Sequence, residues 1–362
     1  MAKKVLKRVG IAAGAILGAV LLAAVGLIVW LTVTEYKPAP VEEAPVLPGH
    51  SKYLSIGDSL TILTQNTGYG GLGADSDFFM DGGRGVNPDQ DQVQANLSGL
   101  TTQLFFDQKA DIYFLQEVDV NSSRTQGINQ SSHWHNSFLQ ALGSCSSSHA
   151  LNYSCAFVPY PLPPIGKVQS GVQTLSAAPT LSAQRIALPC PFSWPVSAAN
   201  LKRCLLVSRV PLDDSDKELV LVNLHLEAYD DGEGKAAQTK ALMDFLTAEY
   251  DKGNYVIAGG DFNQTFPGAL DAFPIKDASL WAPGVLDEDI LPDGWQLAYD
   301  LSVPTCRLLN QPYDPDSGDT QFYVIDGFIL SPNVRLDSAE TLDRQFQYTD
   351  HNPVLIQVTL EA

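Results

Sequence analysis

The stretch "VIAGGDFNQTF", residues 256–266, decides how the rest of the sequence is interpreted. It begins with an apolar run typical of a buried β-strand and then reaches Gly259, Gly260, Asp261 and Asn263. Alternation along a strand puts Asp261 and Asn263 on the same face. The two glycines leave room for another group to approach the backbone closely. The stretch therefore predicts a strand whose carboxyl end presents an acid and an amide to a ligand.

Five other stretches repeat this arrangement of an apolar strand with polar residues at one end. A single carboxylate at a strand end more often forms a turn or faces solvent than binds a ligand. Several such ends favour a shared site, because carboxylate and amide oxygens are the ligands that Mg²⁺ takes while it keeps several waters. Cysteine and histidine clusters are too few for a zinc site. The residues concerned are Asn66 after "LTILTQ", Glu117 after "DIYFLQ", His225 in "LVNLHLE", Asp326 in "YVIDGFI", and Asp350 with His351 in "YTDHNPVLIQV".

These motifs, in their order along the chain, carry a resemblance to a known superfamily. The series "TQNTGYG", "LQEVD", "LVNLHLE", "GGDFNQ", "IDGFIL" and "TDHNPV" resembles that of the endonuclease/exonuclease/phosphatase superfamily. That superfamily includes deoxyribonucleases, neutral sphingomyelinases and inositol polyphosphate phosphatases. The resemblance implies an α/β fold, a four-layer α/β/β/α sandwich of two mainly antiparallel sheets, and a metal-dependent phosphoester hydrolase. It does not name the substrate.

The resemblance also implies a role for each matching residue on the metal side of the site. Glu117 resembles the metal-binding glutamate of the superfamily, Asn66 the asparagine beside it, and Asp350 a further acid on the metal side. Mg²⁺ is the expected ion, with Mn²⁺ or Ca²⁺ as alternatives. No other cofactor is implied.

Five further residues match the catalytic positions of the superfamily. Asp261 resembles the acid that aligns or deprotonates the attacking water, and Asn263 the amide that donates to the pentavalent transition state. His225 resembles a phosphate-contacting histidine. His351 resembles the catalytic histidine, which Asp326 orients; whether it acts as base, acid or cationic clamp stays open. A divalent ion, an imidazolium and an amide donor all stabilise charge that develops in the transition state of phosphoester hydrolysis.

The other histidines have weaker interpretations. His133 and His135 form a spaced pair, but no third soft ligand is near in sequence, which favours loop residues over a metal site. His50 and His149 receive no role. For His225 the alternative is a buried histidine of the core.

The sequence departs from the superfamily pattern beside the first motif. Gln65 stands where a tryptophan is common, and residues 68–85 form a glycine-rich insertion. The insertion either shapes the pocket or is a flexible loop, and the sequence does not favour one over the other. Its candidate pocket residues are Asp75, Asp77, Asp81 and Arg84.

The N-terminal region predicts a membrane anchor. Residues 9–34 contain no ionisable side chain and are long enough to cross about 30 Å of hydrocarbon as a helix. Four basic residues precede this span and one follows closely, which places residues 1–8 in the cytoplasm and the rest outside the cell. A cleaved secretory signal is the alternative. Residues 35–50, rich in proline and acids, are expected to be an extended linker, and residues 51–362 the catalytic domain.

Charge restricts the expected partners. The chain carries 22 basic and 41 acidic residues; without residues 1–49, 17 basic and 38 acidic residues remain, a net charge of −21. Nucleic acid is the less favoured substrate because its affinity depends on basic side chains. A phosphorylated lipid or a small phosphorylated molecule is ranked first, an extracellular nuclease second. A binding protein that has lost turnover is a third alternative.

Two further expectations concern the exported domain. Apolar stretches predict strands throughout it, with helices at residues 87–108 and 234–253. The Ser-, Asn- and Pro-rich residues 121–164 are expected to form long surface loops.

Because an exported domain lies in an oxidising compartment, Cys145 is expected to pair with Cys155 and Cys190 with Cys204, which leaves Cys306 free. Reduced cysteines throughout are the alternative.

Overall fold

Helices form the two outer layers of the domain and the apolar N-terminal segment. The computed structural model describes residues 2–49, 53–230 and 232–361. Helix α1 is long and apolar enough to cross a membrane, although a secretory signal has the same properties. Asp89 caps α2 by accepting from Gln92 N, and a π-helical turn over Thr102–Asp107 continues it. The α-helices in this part of the chain are α1 (Ala2–Val33), α2 (Gln90–Thr101), α3 (Gln130–Leu142), α4 (Glu233–Tyr250) and α5 (Ala269–Ala272).

The described strands form two seven-stranded sheets and two small ribbons. One sheet has the order β1-β7-β8-β9-β10-β16-β13 and the other β17-β18-β3-β4-β6-β5-β2. The strands are β1 (Val41–Ala44), β2 (Val46–Leu47), β3 (Ser59–Asn66), β4 (Ile112–Asp119), β5 (Ser146–Val158), β6 (Gly166–Ser176), β7 (Ser182–Ala187), β8 (Cys204–Pro211), β9 (Glu218–His225), β10 (Tyr255–Asp261), β11 (Gln264–Thr265), β12 (Gly284–Val285), β13 (Gln296–Ala298), β14 (Cys306–Arg307), β15 (Phe322–Tyr323), β16 (Asp326–Leu330), β17 (Val334–Thr341) and β18 (Val354–Leu360).

The two sheets pack face to face, and helices cover their outer faces. Fully buried residues such as Ile62, Ile257 and Phe328 fill the space between the sheets. Leu242 of α4 packs on the outer face of the first sheet, and Leu97 of α2 on that of the second. Strands buried on both faces are apolar throughout, which is the pattern that β9 and β10 show. The predicted four-layer sandwich is therefore confirmed.

Each sheet contains one parallel pair at its centre. Strands β3 and β4 run parallel in one sheet, β9 and β10 in the other, and the remaining neighbours are antiparallel. Because parallel neighbours end at the same edge, each pair brings two strand ends together. These four strands end at or next to Asn66, Glu117, His225 and Asp261. The topology thus gathers the predicted polar strand ends at one rim of the sandwich.

The expected loops at residues 121–164 are wrong. Most of this region is α3 and β5. Its asparagines and glycines are helix signals: Asn129 caps α3 by accepting from Ser132 N, and Gly143 ends it in the left-handed conformation. The serines of β5 lie buried between neighbouring strands. Polar composition here reflects capping and a polar sheet interior.

The expected disulfides are also wrong. All five cysteines, each within the described part of the chain, are free thiols. Cys145 precedes β5 and Cys155 lies near its far end, and ten residues of strand extend about 30 Å, far beyond a disulfide. Cys190 is exposed, whereas Cys204 is buried in β8. Cys306 is free, as expected.

The expected linker at residues 35–50 is partly built into the domain. Strand β1 pairs with β7 of the first sheet, and β2 pairs with β5 of the second. The stretch therefore crosses from one sheet edge to the other and is not a free spacer. The expected boundary at residues 50 and 51 lies outside the described residues.

Candidate active site

The predicted catalytic residues lie together at the rim where the parallel strands end. His225 and Asp326 are the register partners of Asp261 on the two neighbouring strands. His225 Nε2 lies 3.5 Å and His351 Nε2 3.8 Å from Asp261 Oδ2. Asn263 N donates to Asp261 Oδ1 at 2.9 Å. Three strands and two loops thus place these side chains around one carboxylate.

His351 is held by a buried carboxylate. Its Nδ1 lies 2.8 Å from Asp326 Oδ2, and Thr305 Oγ1 accepts from the backbone N–H of Asp326. Burial opposes a charge on His351, but the Asp326 carboxylate outweighs it and raises the pKa of His351 well above its usual value. This arrangement fixes the ring and leaves Nε2 directed at Asp261, as expected for an oriented catalytic histidine.

Asp261 has the pKa of a group that can exchange a proton near neutrality. Burial and the Asp326 carboxylate raise its pKa to about 7, against the opposing effect of His351 and of hydrogen bonds from Asn263 and Asn66. A pKa near the working pH suits a general base. His225 is buried beside it, and burial together with Arg203 and His351 lowers its pKa well below the usual value. His225 is therefore a neutral donor.

In the described part of the chain, Glu117 and Asp350 have no lysine or arginine at ion-pair distance, and His351 Nε2 lies 4.0 Å from Asp350 Oδ2. Burial and mutual repulsion raise the pKa of Glu117, and burial raises that of Asp350 despite His351 and Arg307. Asn66 Nδ2 lies 3.4 Å from Glu117 Oε1 and 3.0 Å from Asp261 Oδ2, while its oxygen accepts from Gly68 N. The predicted metal side is thus assembled, but Asn66 presents its nitrogen to the carboxylates. A carboxylate-rich donor set short of positive charge fits a hard divalent cation.

Among the residues that the structure describes, two groups of side chains have ligand atoms close enough to hold one ion. Their ligand atoms lie within 4.8 Å of one another in each group. Asp350 is a predicted ligand, whereas Cys306 was not proposed from the sequence. Cys306 forms a β-bridge with His351, a pairing that no local motif reveals. The groups are Cys306, Asp350 and His351, and Asp261, Asp326 and His351.

Two of the predicted site residues occupy backbone conformations that are unfavourable for side chains other than glycine. Glu117 has φ 57° and Asn263 has φ 50°. At Glu117 the register of β4 shifts between Leu115 and Val118, which turns the carboxylate out of the regular alternation. Such strain concentrates at functional positions, where the surrounding structure maintains it.

The two glycines before Asp261 have a different reason than close ligand approach. A Cβ at Gly260 would collide with the carbonyl of Leu224, and Gly260 has φ 145°. A Cβ at Gly259 would collide with the ring of Phe328. The glycines therefore permit strand packing behind the site, and the predicted role in ligand access is wrong.

A cavity of 830 Å³ opens above these residues. The insertion at 68–85 is one of its walls, with Tyr69 and Phe79 among the lining residues. Of its four candidate polar residues only Asp81 lines the cavity; it accepts from Tyr229 Oη at 2.9 Å, and burial raises its pKa to about 6. Arg307 Nη2 donates to Gly73 O and holds the insertion in place. Asp75 and Arg84 are exposed, and Asp77 accepts from Arg84 N and Gly85 N.

His133, His135 and His149 lie away from this rim. His133 Nε2 is 2.8 Å from Thr101 Oγ1 on the outer helices, and His135 is on the same helix as His133. His149 is on β5, where burial lowers its pKa to about 4. His50 falls outside the described residues.

Comparison with known proteins places the fold. No protein-family model and no curated protein matches the sequence. The structure is similar to the endonuclease/exonuclease/phosphatase from Beutenbergia cavernae, with a TM-score of 0.55 and 16% identity over 84% of this chain and 72% of that one. It is similar to the endonuclease/exonuclease/phosphatase from Bacteroides vulgatus, with a TM-score of 0.51 and 15% identity over 84% of this chain and 100% of that one. It is also similar to ANGEL2, a 2',3'-cyclic phosphatase solved with adenosine-2',3'-vanadate. The TM-score is 0.50, with 15% identity over 88% of this chain and 100% of that one. The chain has the endonuclease/exonuclease/phosphatase fold.

Proposed function

We propose that this protein is a divalent-metal-dependent hydrolase of phosphoester bonds, a phosphodiesterase or phosphatase that acts outside the cell. The observation that carries the proposal is the pairing of His351 with Asp326 directly beside Asp261 at the rim. An oriented imidazolium next to a carboxylate with a pKa of about 7 can move a proton and stabilise an anion in the same site. The fold of known phosphoesterases supports the same chemistry.

Glu117 and Asp350, with Asn66 beside them, would hold Mg²⁺, and Mn²⁺ or Ca²⁺ are alternatives. The ion would supply Lewis-acid stabilisation of the phosphoryl oxygens. Asp261 accepts a proton from the attacking water as the new P–O bond forms, and the bond to the leaving oxygen breaks. His351 faces the developing charge with Nε2–H. His225 and Asn263 donate as neutral groups, although one N–H of Asn263 already bonds to Leu226 O at 2.9 Å.

The substrate proposed first is a phospholipid head group or a small phosphorylated molecule. A nuclease is second, because each arginine that lines the cavity already makes at least one bond to a side chain or carbonyl of the protein. Arg124 Nη2 is 2.9 Å from Asp119, Arg203 Nε is 3.5 Å from Glu227, and Arg307 bonds to backbone carbonyls. Long polyanions need unpaired basic side chains. A binding protein without turnover is third, since every matched position retains a reactive residue type.

The test offers full-length protein in detergent four substrates: sphingomyelin, a phosphoinositide, plasmid DNA and bis(p-nitrophenyl) phosphate. Each is incubated with Mg²⁺ or with EDTA. We expect Mg²⁺-dependent release of product from a lipid or from the small diester. Cleavage of DNA alone would put the nuclease first, and no metal-dependent turnover of any substrate would favour the binding protein.

A further inference from the structure

The last turns of α1 form part of the cavity wall above the catalytic rim. Ile28 and Leu31 line the cavity, and Leu31 is buried against Cys155 and Ala198. Just beyond, Trp194 Nε1 donates to Thr32 Oγ1 at 3.0 Å. Lys202 Nζ lies 2.9 Å from Glu35 in a largely buried ion pair. The apolar helix is therefore docked on the catalytic domain at the entrance to its site.

The length of α1 fixes where that entrance lies relative to a bilayer. A hydrocarbon core of about 30 Å takes about 20 helical residues at 1.5 Å each. Counted from Val9, the first residue after the basic N-terminal group, about 20 residues end near Ile28. Ile28 is one of the residues that line the cavity. The entrance thus lies at the level of the lipid head groups on the outward side.

Exposed apolar side chains lie on two chain segments that also line this entrance. Two loops beside α1 carry Tyr160 (69% exposed), Leu162 (86%), Trp194 (62%) and Val196 (57%), which we call the collar. Tyr160 packs its ring edge against Phe79, so the collar joins the glycine-rich insertion. Tyrosine and tryptophan favour the membrane interface, where one end of the ring is apolar and the other wet. Water is a poor environment for four such neighbours.

The cavity changes character between its mouth and its floor. Most of its lining is apolar, and charged side chains such as Glu117, Asp261 and Asp350 lie at the catalytic rim. Near the mouth the walls are side chains such as Met80, Val158 and Phe192. A substrate that is polar only at its phosphate matches this gradient, because its apolar part gains free energy by burial.

We propose that the cavity takes a membrane lipid with a phosphoester head group, which enters sideways from the outer leaflet while the collar dips into the interface. The phosphate reaches the catalytic rim, and the first part of the acyl chain lies along Ile28 and Leu31 of α1. The inference rests on the proposed function and on the outward orientation of the domain. Because the exported part carries a net charge of −21, apolar burial and not attraction to anionic lipids supplies the contact.

Membrane contact can be measured without turnover. Full-length protein is reconstituted in phosphatidylcholine vesicles with and without brominated phosphatidylcholine, and the quenching of tryptophan fluorescence is recorded. We expect Trp194→Phe to remove part of the quenching. Trp295→Phe is the control, because Trp295 is only 7% exposed and packs against Tyr250 on α4. Quenching that is unchanged in Trp194→Phe would contradict the proposed contact between the collar and the membrane.

Substrate entry is tested with a pair of exposed leucines. Leu162→Ser alters the collar, and Leu139→Ser alters α3, which packs on β4 and β6. The readout is hydrolysis of sphingomyelin vesicles divided by hydrolysis of bis(p-nitrophenyl) phosphate. We expect Leu162→Ser to lower this ratio about tenfold, the equivalent of one lost leucine contact with lipid. Leu139→Ser leaves it unchanged.

The two measurements separate the inference from the proposed function. Quenching at Trp194 without hydrolysis of either substrate would retain the membrane contact and remove the hydrolase. Hydrolysis of the soluble diester with no quenching at Trp194 and an unaltered ratio in Leu162→Ser would retain the hydrolase and remove lipid entry.

Discussion

Buried carboxylates in two regions of this protein have pKa values that are shifted in opposite directions. At the catalytic rim, burial raises the pKa values of Glu117, Asp261 and Asp350, and a neighbouring carboxylate adds to the effect at Glu117 and Asp261. At the end of α4, Glu249 is also buried, but Arg209 and Lys252 contact it at 2.8 and 2.7 Å. Burial opposes its ionisation, yet these hydrogen bonds lower the pKa of Glu249 to about 2.

The difference shows that compensation, and not burial, separates a structural acid from a functional one. The chain supplies the cations for Glu249 from its own side chains, so this cluster is complete in the folded protein. At the rim His351 is shared among several carboxylates, and the set is short of positive charge. An uncompensated buried charge costs stability and persists where function requires it. The rim therefore fits a cation from outside the chain.

The largest expected effect is the loss of turnover when His351 is removed. His351→Ala should lower the rate of phosphodiester hydrolysis by about 10²–10⁴-fold, because it takes away the oriented imidazolium. Circular dichroism should still show cooperative unfolding. His133→Ala is the matched control, since that imidazole contacts Thr101 on the outer helices and should leave the rate unchanged. Full activity of His351→Ala would remove the assignment.

The next largest effect is the gain in stability that metal binding at the rim should give. With Mg²⁺ at about 100 times its dissociation constant, the wild-type protein should gain about 2.7 kcal/mol of stability over its state in EDTA. Glu117→Gln should lose most of that gain. In EDTA the variant should be at least as stable as the wild type, because a repelled carboxylate has been neutralised. Thermal unfolding measures all four states, and equal gains in both proteins would contradict the metal role of Glu117.

A smaller, purely structural effect is expected at the second cluster. Glu249→Gln should cost about 1–3 kcal/mol, less than a fully buried pair because Arg209 is partly exposed. The pKa of Glu249 is lowered in the folded state, so its contribution is full above pH 4.5 and disappears as the pH falls towards 2. The difference in unfolding free energy between wild type and variant should shrink over that range. Turnover at neutral pH should not change, and a difference that grew on acidification would contradict the pairing.

The smallest effect belongs to a pair that is exposed. Lys240 and Asp244 lie one turn apart on α4 at 2.7 Å, with most of both side chains in solvent. Lys240→Ala should change the unfolding free energy by less than about 0.5 kcal/mol. Thermal unfolding in low and high salt checks this. A loss as large as that of Glu249→Gln would mean that proximity, and not burial with compensation, governs these pairs.

The sequence predicted the residues of the rim because each motif is a short stretch in which an apolar strand ends in polar side chains. Asp261 and Asn263 follow an apolar run that can only be a buried strand, and the same holds for Asn66 and Glu117. The motif stretches quoted from the sequence fall mostly on strands of the two large sheets. Contacts between distant segments were beyond this logic. Cys306 of β14 reaches His351 through an isolated bridge to the residues before β18, which no spacing indicates.

The errors share a cause, which is that composition was interpreted without tertiary context. Serine and asparagine in residues 121–164 suggested loops, but Asn129 caps a helix and the β5 serines face polar partners, as Ser148 does with Ser208 at 2.8 Å. Gly260 suggested ligand access, yet the neighbouring strand requires it. Cysteine spacing suggested disulfides, but an extended strand separates Cys145 from Cys155.

The pairing of residues 41–47 with both sheets limits how far the domain extends from α1. Because β1 and β2 are edge strands of opposite sheets, only the residues from Thr34 to Pro40 connect α1 to the domain. Under the proposed membrane anchoring by α1, so short a connection would keep the domain at the membrane surface. Its encounters with a lipid substrate would then be confined to two-dimensional diffusion, and its rate would follow the surface density of that substrate.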